Sequence, residues 1–151
     1  MNSYEAKTSG NLVAVQLSRG DDLLLSIQKA IAEHGITNGA VISGIGTLDQ
    51  CVLHFVSDSQ NAKSIYYKKW EDVLFEVTGI HGIIANGQPH LHMVVSDTNN
   101  AWAGHVEPGC RTLFLCEMLI LVFDEHSVFD RVHATQDKDD TNYAIMNLVK
   151  L

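Results

Sequence analysis

A chain of 151 residues that is 46% hydrophobic has the size of one compact domain able to bury most of the surface its unfolded form would expose. Ten basic against eighteen acidic residues leave a formal net charge of −8, so a polyanion is repelled at long range and direct nucleic-acid binding is disfavoured. The longest apolar stretch, Leu113 to Phe123, is interrupted by Glu117 and is too short for a bilayer. Met1 to Glu5 show neither a basic nor an apolar leader, so no membrane span or signal peptide is expected and the cytoplasm is the expected compartment.

Taken in order, Leu12 to Leu17 reads as a first strand, and Gly20-Asp21 offers a turn and an N-cap. Leu24, Ile27 and Ile31 then recur at helical spacing, with Ala30 and His34 on the same side and Gly35 as the left-handed terminus. Beyond this one helix the pattern changes to short runs separated by turns. These are 40–45, 50–57, 64–70, 73–82, 90–96, 101–106, 111–123 and 127–131, the spacing of a mostly antiparallel sheet. Residues 137–142 form a polar loop, and 143–151 could add a final edge strand. No internal repeat is evident. The expected architecture is a single α+β domain over residues 1–151, its core from about 12 to 149, with one helix packed on a strongly curved sheet or partial barrel. Gly44, Gly46, Gly79 and Gly82 would serve bends or close approaches.

The run from Thr112 to Phe123 is apolar at both parities, which predicts that one face meets the core and the other a neighbouring subunit. Parity places Leu113, Leu115, Glu117, Leu119, Leu121 and Phe123 on one side, with Phe114, Cys116, Met118, Ile120 and Val122 on the other. Which side faces the partner is not legible from the sequence.

The densest chemistry lies between Pro89 and His105. On a strand His90 and His92 leave the same face with Cβ atoms ~7 Å apart, and a hairpin partner could bring His105 beside them. Three neutral imidazoles suit a borderline ion, zinc above all, and leave a fourth position open. The alternative is that each histidine is hydrogen-bonded to backbone or water. Cys51, Cys110 and Cys116 form no Cys-x-x-Cys pair and read as small core residues in a reducing compartment, a thiol near the histidines being a minor ligand candidate.

Glu117 sits within an apolar run, where an unpaired carboxylate would cost several kcal/mol. A metal-bound water, a ligating histidine's second nitrogen or Arg131 could compensate it, making it an acid–base or supporting group; the alternatives are a structural ion pair or an exposed edge. Glu76 is an inward carboxylate or, as favoured here, a solvated strand position. Ser43-Gly44-Ile45-Gly46 follows the helix and lacks a third glycine, so it is no phosphate loop and its glycines serve a turn. His54, His81, His126 and His133 lack partners at ligand spacing, and His81, between Ile80 and Gly82, is the best auxiliary ligand among them.

Several of these marks fall together in one family. Ile42-Ser43-Gly44-Ile45-Gly46, Phe75-Glu76-Val77 with Gly79, Gly87-Gln88-Pro89-His90-Leu91-His92, Gly104-His105 and Cys116-Glu117 followed by Arg131 resemble the single-domain prokaryotic type of PPC (plants and prokaryotes conserved) domain, from about Leu12 to Val149. The resemblance implies an α+β fold assembled as a homotrimer. The family fold is also similar to that of alpha-acetolactate decarboxylase, whose zinc is held by a His-x-His pair and a third histidine, which on this chain implies His90, His92 and His105. Ala103 and Asn100 depart from the family's glycines and bear on the local turn more than on the ligands. Plant members carry an AT-hook; this chain has no Arg-Gly-Arg-Pro hook.

The resulting expectation is a trimeric zinc protein acting on or binding a small carbonyl- or oxygen-bearing metabolite, as a metal-dependent lyase or hydrolase, with Glu117 and Arg131 as the catalytic candidates. The rival expectation is a DNA-associated regulatory or protein-interaction module in which the histidines are structural and Lys68 and Lys69 would carry any DNA contact.

Overall fold

The computed structural model describes Glu5 and residues 7–151, the side chain of Ser9 excepted. Its elements are β1 (Thr8–Ser18), α1 (Leu23–Glu33), β2 (Gly39–Val56), β3 (Ile65–Ala85), β4 (Gln88–Ser96), β5 (Ala101–Val106), β6 (Arg111–Phe123), β7 (Phe129–His133) and β8 (Met146–Lys150). The first six strands form one antiparallel sheet in the order β1-β6-β2-β3-β4-β5, and β7 and β8 pair as a separate ribbon. This is the α+β architecture expected, with one helix among the described residues and partial ring closure. No helix among the described residues is long and apolar enough to cross a membrane.

Closure arises on one edge of β2. Its first part pairs with β6 as far as Gln50↔Arg111, and β5 then takes over with Leu53↔Val106 and His54↔His105. Because β4 and β5 also pair, β2, β3, β4 and β5 form a ring. Leu53, Phe75, Ile80, Leu91, Met93, Val95 and Val106 are all buried in one core cluster, together with α1 and all three cysteines, which are free thiols.

Helix α1 forms because its apolar residues share a stripe: Leu23, Ile27, Ala30 and Ile31 are buried. Asp22, not Asp21, is the N-cap, its Oδ1 accepting from Leu25 N at 3.0 Å, while Asp21 accepts instead from Ser18 N. The helix ends in a Schellman arrangement: Gly35 has φ 59°, its N–H donates to Ala32 O, and Ile36 N donates to Ile31 O at 2.9 Å. Asp22 Oδ2 also accepts from Gly109 N in the turn that leads into β6. Asp22→Ala should therefore lower stability by about 1–2 kcal/mol, read as a shift in urea midpoint, and an unchanged midpoint would refute the cap's contribution.

Two pairs of expected strands are continuous. Residues 40–45 and 50–56 are parts of β2, and 65–70 and 73–82 are parts of β3, joined through a register shift between Leu48 and Gln50 instead of turns. The turn assigned to Gly44 and Gly46 is thus corrected: both lie within β2, where a Cβ on Gly44 would sit 2.7 Å from Ile80 and one on Gly46 would collide with Cys116. Of the expected terminal strands, the first is displaced by two residues to β7, the second is shortened to β8, and the two pair with each other.

Strand β6 divides largely by parity. Cys116, Met118 and Ile120 face the core, while Leu115, Glu117 and Leu119 are exposed. Phe114 departs from its expected side and is 64% exposed, because Thr112, Leu113, Phe114, Leu115 and Cys116 span the same stretch as three residues of β2, Gly46 to Leu48.

Candidate metal centre

The site is built on the outer surface of the ring by a tight hairpin. Asn86 and Gly87 both have positive φ, 49° and 71°, and link Ala85 to Gln88, the backbone of a two-residue primed turn. That turn sets the β3–β4 register, placing Gly82 opposite Leu91 and His81 opposite His92. Gly82 has to be glycine, since a Cβ there would fall on the carbonyl oxygen of His90. Leu91 and Met93 point inward and are buried, so His90 and His92 point outward together. Strand β5 then pairs His105 directly with His92.

The three side chains meet. One ligand atom from each of His90, His92 and His105 lies within 4.8 Å of the others. His90 Nε2 and His92 Nε2 are 3.3 Å apart. Two nitrogens held at about 2.0–2.1 Å in tetrahedral geometry around zinc stand ~3.3 Å apart, so this spacing suits two ligands of one ion, whereas it is long for an imidazole hydrogen bond. The donor set of three histidines also suits zinc and leaves a coordination position open.

Partial desolvation holds His90 below its usual range, helped by the positive charge of Arg131 and by the crowding of His92 and His54, which disfavours a further proton on the cluster. Desolvation and then His54 lower His92 in the same direction. His105 is pushed down to about 4, first by desolvation and then by His54, His90, His92 and Arg131. All three rings are therefore neutral at physiological pH, the state in which imidazole binds metal. The linkage sign follows. The unfolded chain takes up protons below the ordinary value of 6.5 while the folded rings resist until lower pH, so metal-free protein loses stability as pH falls through that window. Its urea midpoint should be lower at pH 5 than at pH 7.5, and His105→Gln should reduce the difference. An equal pH dependence in the variant would remove His105 as a cause.

A fourth histidine, which sequence reasoning had set aside, joins the cluster. His54 stacks on His105 with ring centroids 4.2 Å apart, and its Nδ1 donates to Glu107 Oε1 at 2.6 Å. His54, His105 and Glu107 also bring ligand atoms within 4.8 Å of one another. At 2.6 Å, however, nitrogen and oxygen share a proton directly; two ligands of one ion would stand ~3.2 Å apart. Glu107 therefore orients His54. A local signal existed, since His105-Val106-Glu107 repeats the alternation of His90-Leu91-His92, but the approach of His54 depends on the ring closure.

The other expected site residues scatter. Arg131, on β7, reaches the histidines: it lines a cavity with His90 and His92, anchored by hydrogen bonds to Gln88 O at 3.0 Å and Ile83 O at 2.7 Å. Glu117 is neither buried nor at an edge: it is exposed on the outer face of β6, between β1 and β2, and lines a different cavity with Gln16 and Ser43. Glu76 is exposed, as favoured. His81, the auxiliary candidate, is exposed opposite His92 but belongs to neither ligand group. His133 stacks on Tyr143, and His126 lies 3.8 Å from Glu125. None of the cysteines joins a ligand group among the described residues.

The Plants and Prokaryotes Conserved domain matches residues 4–124, and the chain belongs to that family. Several solved structures share its fold. A metal-containing protein from Archaeoglobus fulgidus superposes with a TM-score of 0.77 at 20% identity over 97% of this chain and 99% of that one. A plant- and prokaryote-conserved protein from Pyrococcus horikoshii does so with a TM-score of 0.75 at 18% identity over the whole of both chains. A candidate DNA-binding protein from Bacteroides thetaiotaomicron gives 0.76 at 21% identity over 99% of each. Two curated relatives, bifunctional GlmU proteins from Synechococcus strains, are 25% and 24% identical over 107 residues; the match covers 70% of this chain but 16% of their length.

Proposed function

We propose that this family member is a cytoplasmic homotrimer that holds zinc on His90, His92 and His105 and binds or acts on a small carbonyl- or oxygen-bearing metabolite, as a lyase or hydrolase. The observation that carries this reading is the 3.3 Å spacing of the His90 and His92 Nε2 atoms, with His105 in ligand range and all three rings held neutral. Zinc in such a site would act as a Lewis acid or activate water at its open position. The fold it shares with the metal-containing archaeal protein supports the same reading. Glu107 fixes the neighbouring His54 in one orientation, the arrangement that commonly surrounds metal ligands. Arg131 supplies a fixed positive charge beside the ligands. An acid–base role for Glu117 requires another copy of the chain to bring it to the histidines, because its own cavity does not contain them. Free, buried cysteines suit the reducing cytoplasm.

Elemental analysis of protein purified without an affinity tag tests the metal: about one zinc per chain is expected, and protein that is empty and also refuses added zinc overturns the reading. The rival DNA-associated reading draws on the Bacteroides neighbour. Against it, Lys69 is paired with Glu71 at 2.7 Å and Lys68 lies over the rings of Trp70 and Trp102, so neither forms part of an open basic patch. Salt-dependent binding to duplex DNA that weakens when both lysines are neutralised would favour the rival.

A further inference from the structure

The three cysteines are all buried, and two of them meet where the ring closes. Strand β2 changes partners between Gln50, which pairs with Arg111 of β6, and Leu53, which pairs with Val106 of β5. Cys51 and Cys110 each lie one residue along from the Gln50↔Arg111 pair, in opposite directions of two antiparallel segments, so they face each other at this handover. Both are 0% exposed. Val52 N donates to Cys110 Sγ at 3.3 Å and the Cys110 thiol donates to Val52 O at the same distance, which holds that sulfur against the backbone beside Cys51. The turn carrying Cys110 is anchored in its own right. Gly109 N donates to Asp22 Oδ2, Leu23 N to Cys110 O, and Glu107 N to Val52 O.

The two thiols are chemically unequal. Donation from Cys51 to the Cys110 sulfur pushes Cys51 up, and burial and the neighbouring Cys110 charge add to it. The same contact, with N–H donation from Val52 and Glu107, holds Cys110 below its usual range against burial and the Asp22 carboxylate. Cys110 is therefore the nucleophile of the pair and Cys51 the thiol that resolves it. Directly opposed antiparallel residues have Cα atoms ~4.5–5.5 Å apart, inside the ~4.4–6.8 Å that a disulfide spans, so side-chain rotation brings the sulfurs together with little movement of the backbone. Neither thiol is open to a protein oxidant. Cys110 does lie just behind exposed Pro108 in the Pro108-Gly109 turn, so the oxidant that fits is small and uncharged, hydrogen peroxide.

We propose that Cys51 and Cys110 form a peroxide-oxidisable dithiol whose disulfide locks β2 to the β5–β6 turn at the point where the ring closes. The Cys110 sulfur attacks one peroxide oxygen, the O–O bond breaks, and the leaving hydroxide takes up the thiol proton as water. The Cys51 sulfur then attacks the sulfur of the resulting sulfenic acid; the S–S bond forms, the S–O bond breaks, and hydroxide leaves with the Cys51 proton as a second water. The two thiols lose two electrons and one peroxide becomes two waters. Exchange with a small thiol such as glutathione reverses the step, so the dithiol is the resting form in a reducing compartment. Glu107 belongs to the locked turn and holds His54, so oxidation also stiffens the flank of the histidine cluster. No step uses a metal.

Reduced wild type, Cys51→Ala, Cys110→Ala and Cys116→Ala are treated in the folded state with hydrogen peroxide, alkylated with N-ethylmaleimide in denaturant and mapped by mass spectrometry. In wild type the alkylated thiols should fall from three to one, with a Cys51–Cys110 cross-link that glutathione removes. Cys116→Ala should form the same link. Cys51→Ala should instead leave a Cys110 sulfenic acid that dimedone traps, and Cys110→Ala should keep its two thiols. Oxidised wild type should have a higher urea midpoint than reduced, and amide exchange at Glu107 should slow by about tenfold or more. Three thiols surviving in folded wild type, a link that involves Cys116, or a Cys51–Cys110 link that forms only in urea overturns the site. A link that leaves the urea midpoint and Glu107 exchange unchanged overturns the lock. Mapping of wild type decides the site even where a variant does not fold, which circular dichroism shows.

Discussion

Replacing His92 with alanine should yield a folded protein that takes up no zinc at concentrations where the wild type is saturated. His92 is exposed, so its truncation opens no core cavity and removes no buried partner. Its Nε2 is one donor of the His90, His92 and His105 group, and the residual pair, His90 and His105, leaves two coordination positions to water. Loss of a group that only supports a ligand commonly costs 10- to 100-fold in metal affinity, so loss of a ligand should exceed about a hundredfold. His81→Ala is the matched control: it removes an exposed histidine directly opposite His92 on the neighbouring strand, yet His81 belongs to neither ligand group. Its zinc affinity should match wild type. Zinc retention by His92→Ala at wild-type affinity would move the site elsewhere, and loss in both variants would point to disruption of the β3–β4 ladder instead of a missing ligand.

Much of this site was legible because it obeys short-range rules. Alternation on a strand is enough to put His90 and His92 on one face, and the apolar stripe of α1 with its Gly35 terminus is visible, although the cap is Asp22, one residue beyond the expected Asp21. The limits appear where geometry depends on partners distant in sequence. The long strands β2 and β3 read as fragments because bulges near Asp49 and Asp72 break their apolar rhythm without ending the pairing; Asp72 even adopts φ 52° inside β3. His54 could not be assigned, since nothing near it predicts that β5 replaces β6 along the same edge of β2 and stacks His105 on it. The Asn86-Gly87 turn, which the sequence reading passed over although Asn-Gly is a hairpin signal, fixes the register on which the histidine cluster depends.

The two-sided apolar strand leads to the other large effect, and the fold now says which side is which. Ile120 is fully buried in the core cluster, whereas Leu119, one residue along, is 38% exposed on the outer surface. There it lies opposite Ala14 of β1 and Ser43 of β2, near exposed Leu12, Ile45 and Leu115. A lysine at position 120 would bury an ammonium with no carboxylate to meet it. That costs several kcal/mol against the ~5–15 kcal/mol that holds a domain together, and Ile120→Lys should be unfolded or insoluble. A lysine at position 119 points away from that core, so the isolated subunit can keep its fold. If the outer surface is covered by neighbouring subunits in the proposed trimer, the same charge becomes unpaired on assembly, and Leu119→Lys should give a folded species of one-third the wild-type mass by light scattering with unchanged far-ultraviolet circular dichroism. Leu119→Lys that assembles like wild type would show that this part of the surface lies outside the contact, and wild-type protein that is monomeric at micromolar concentration would refute the oligomer outright.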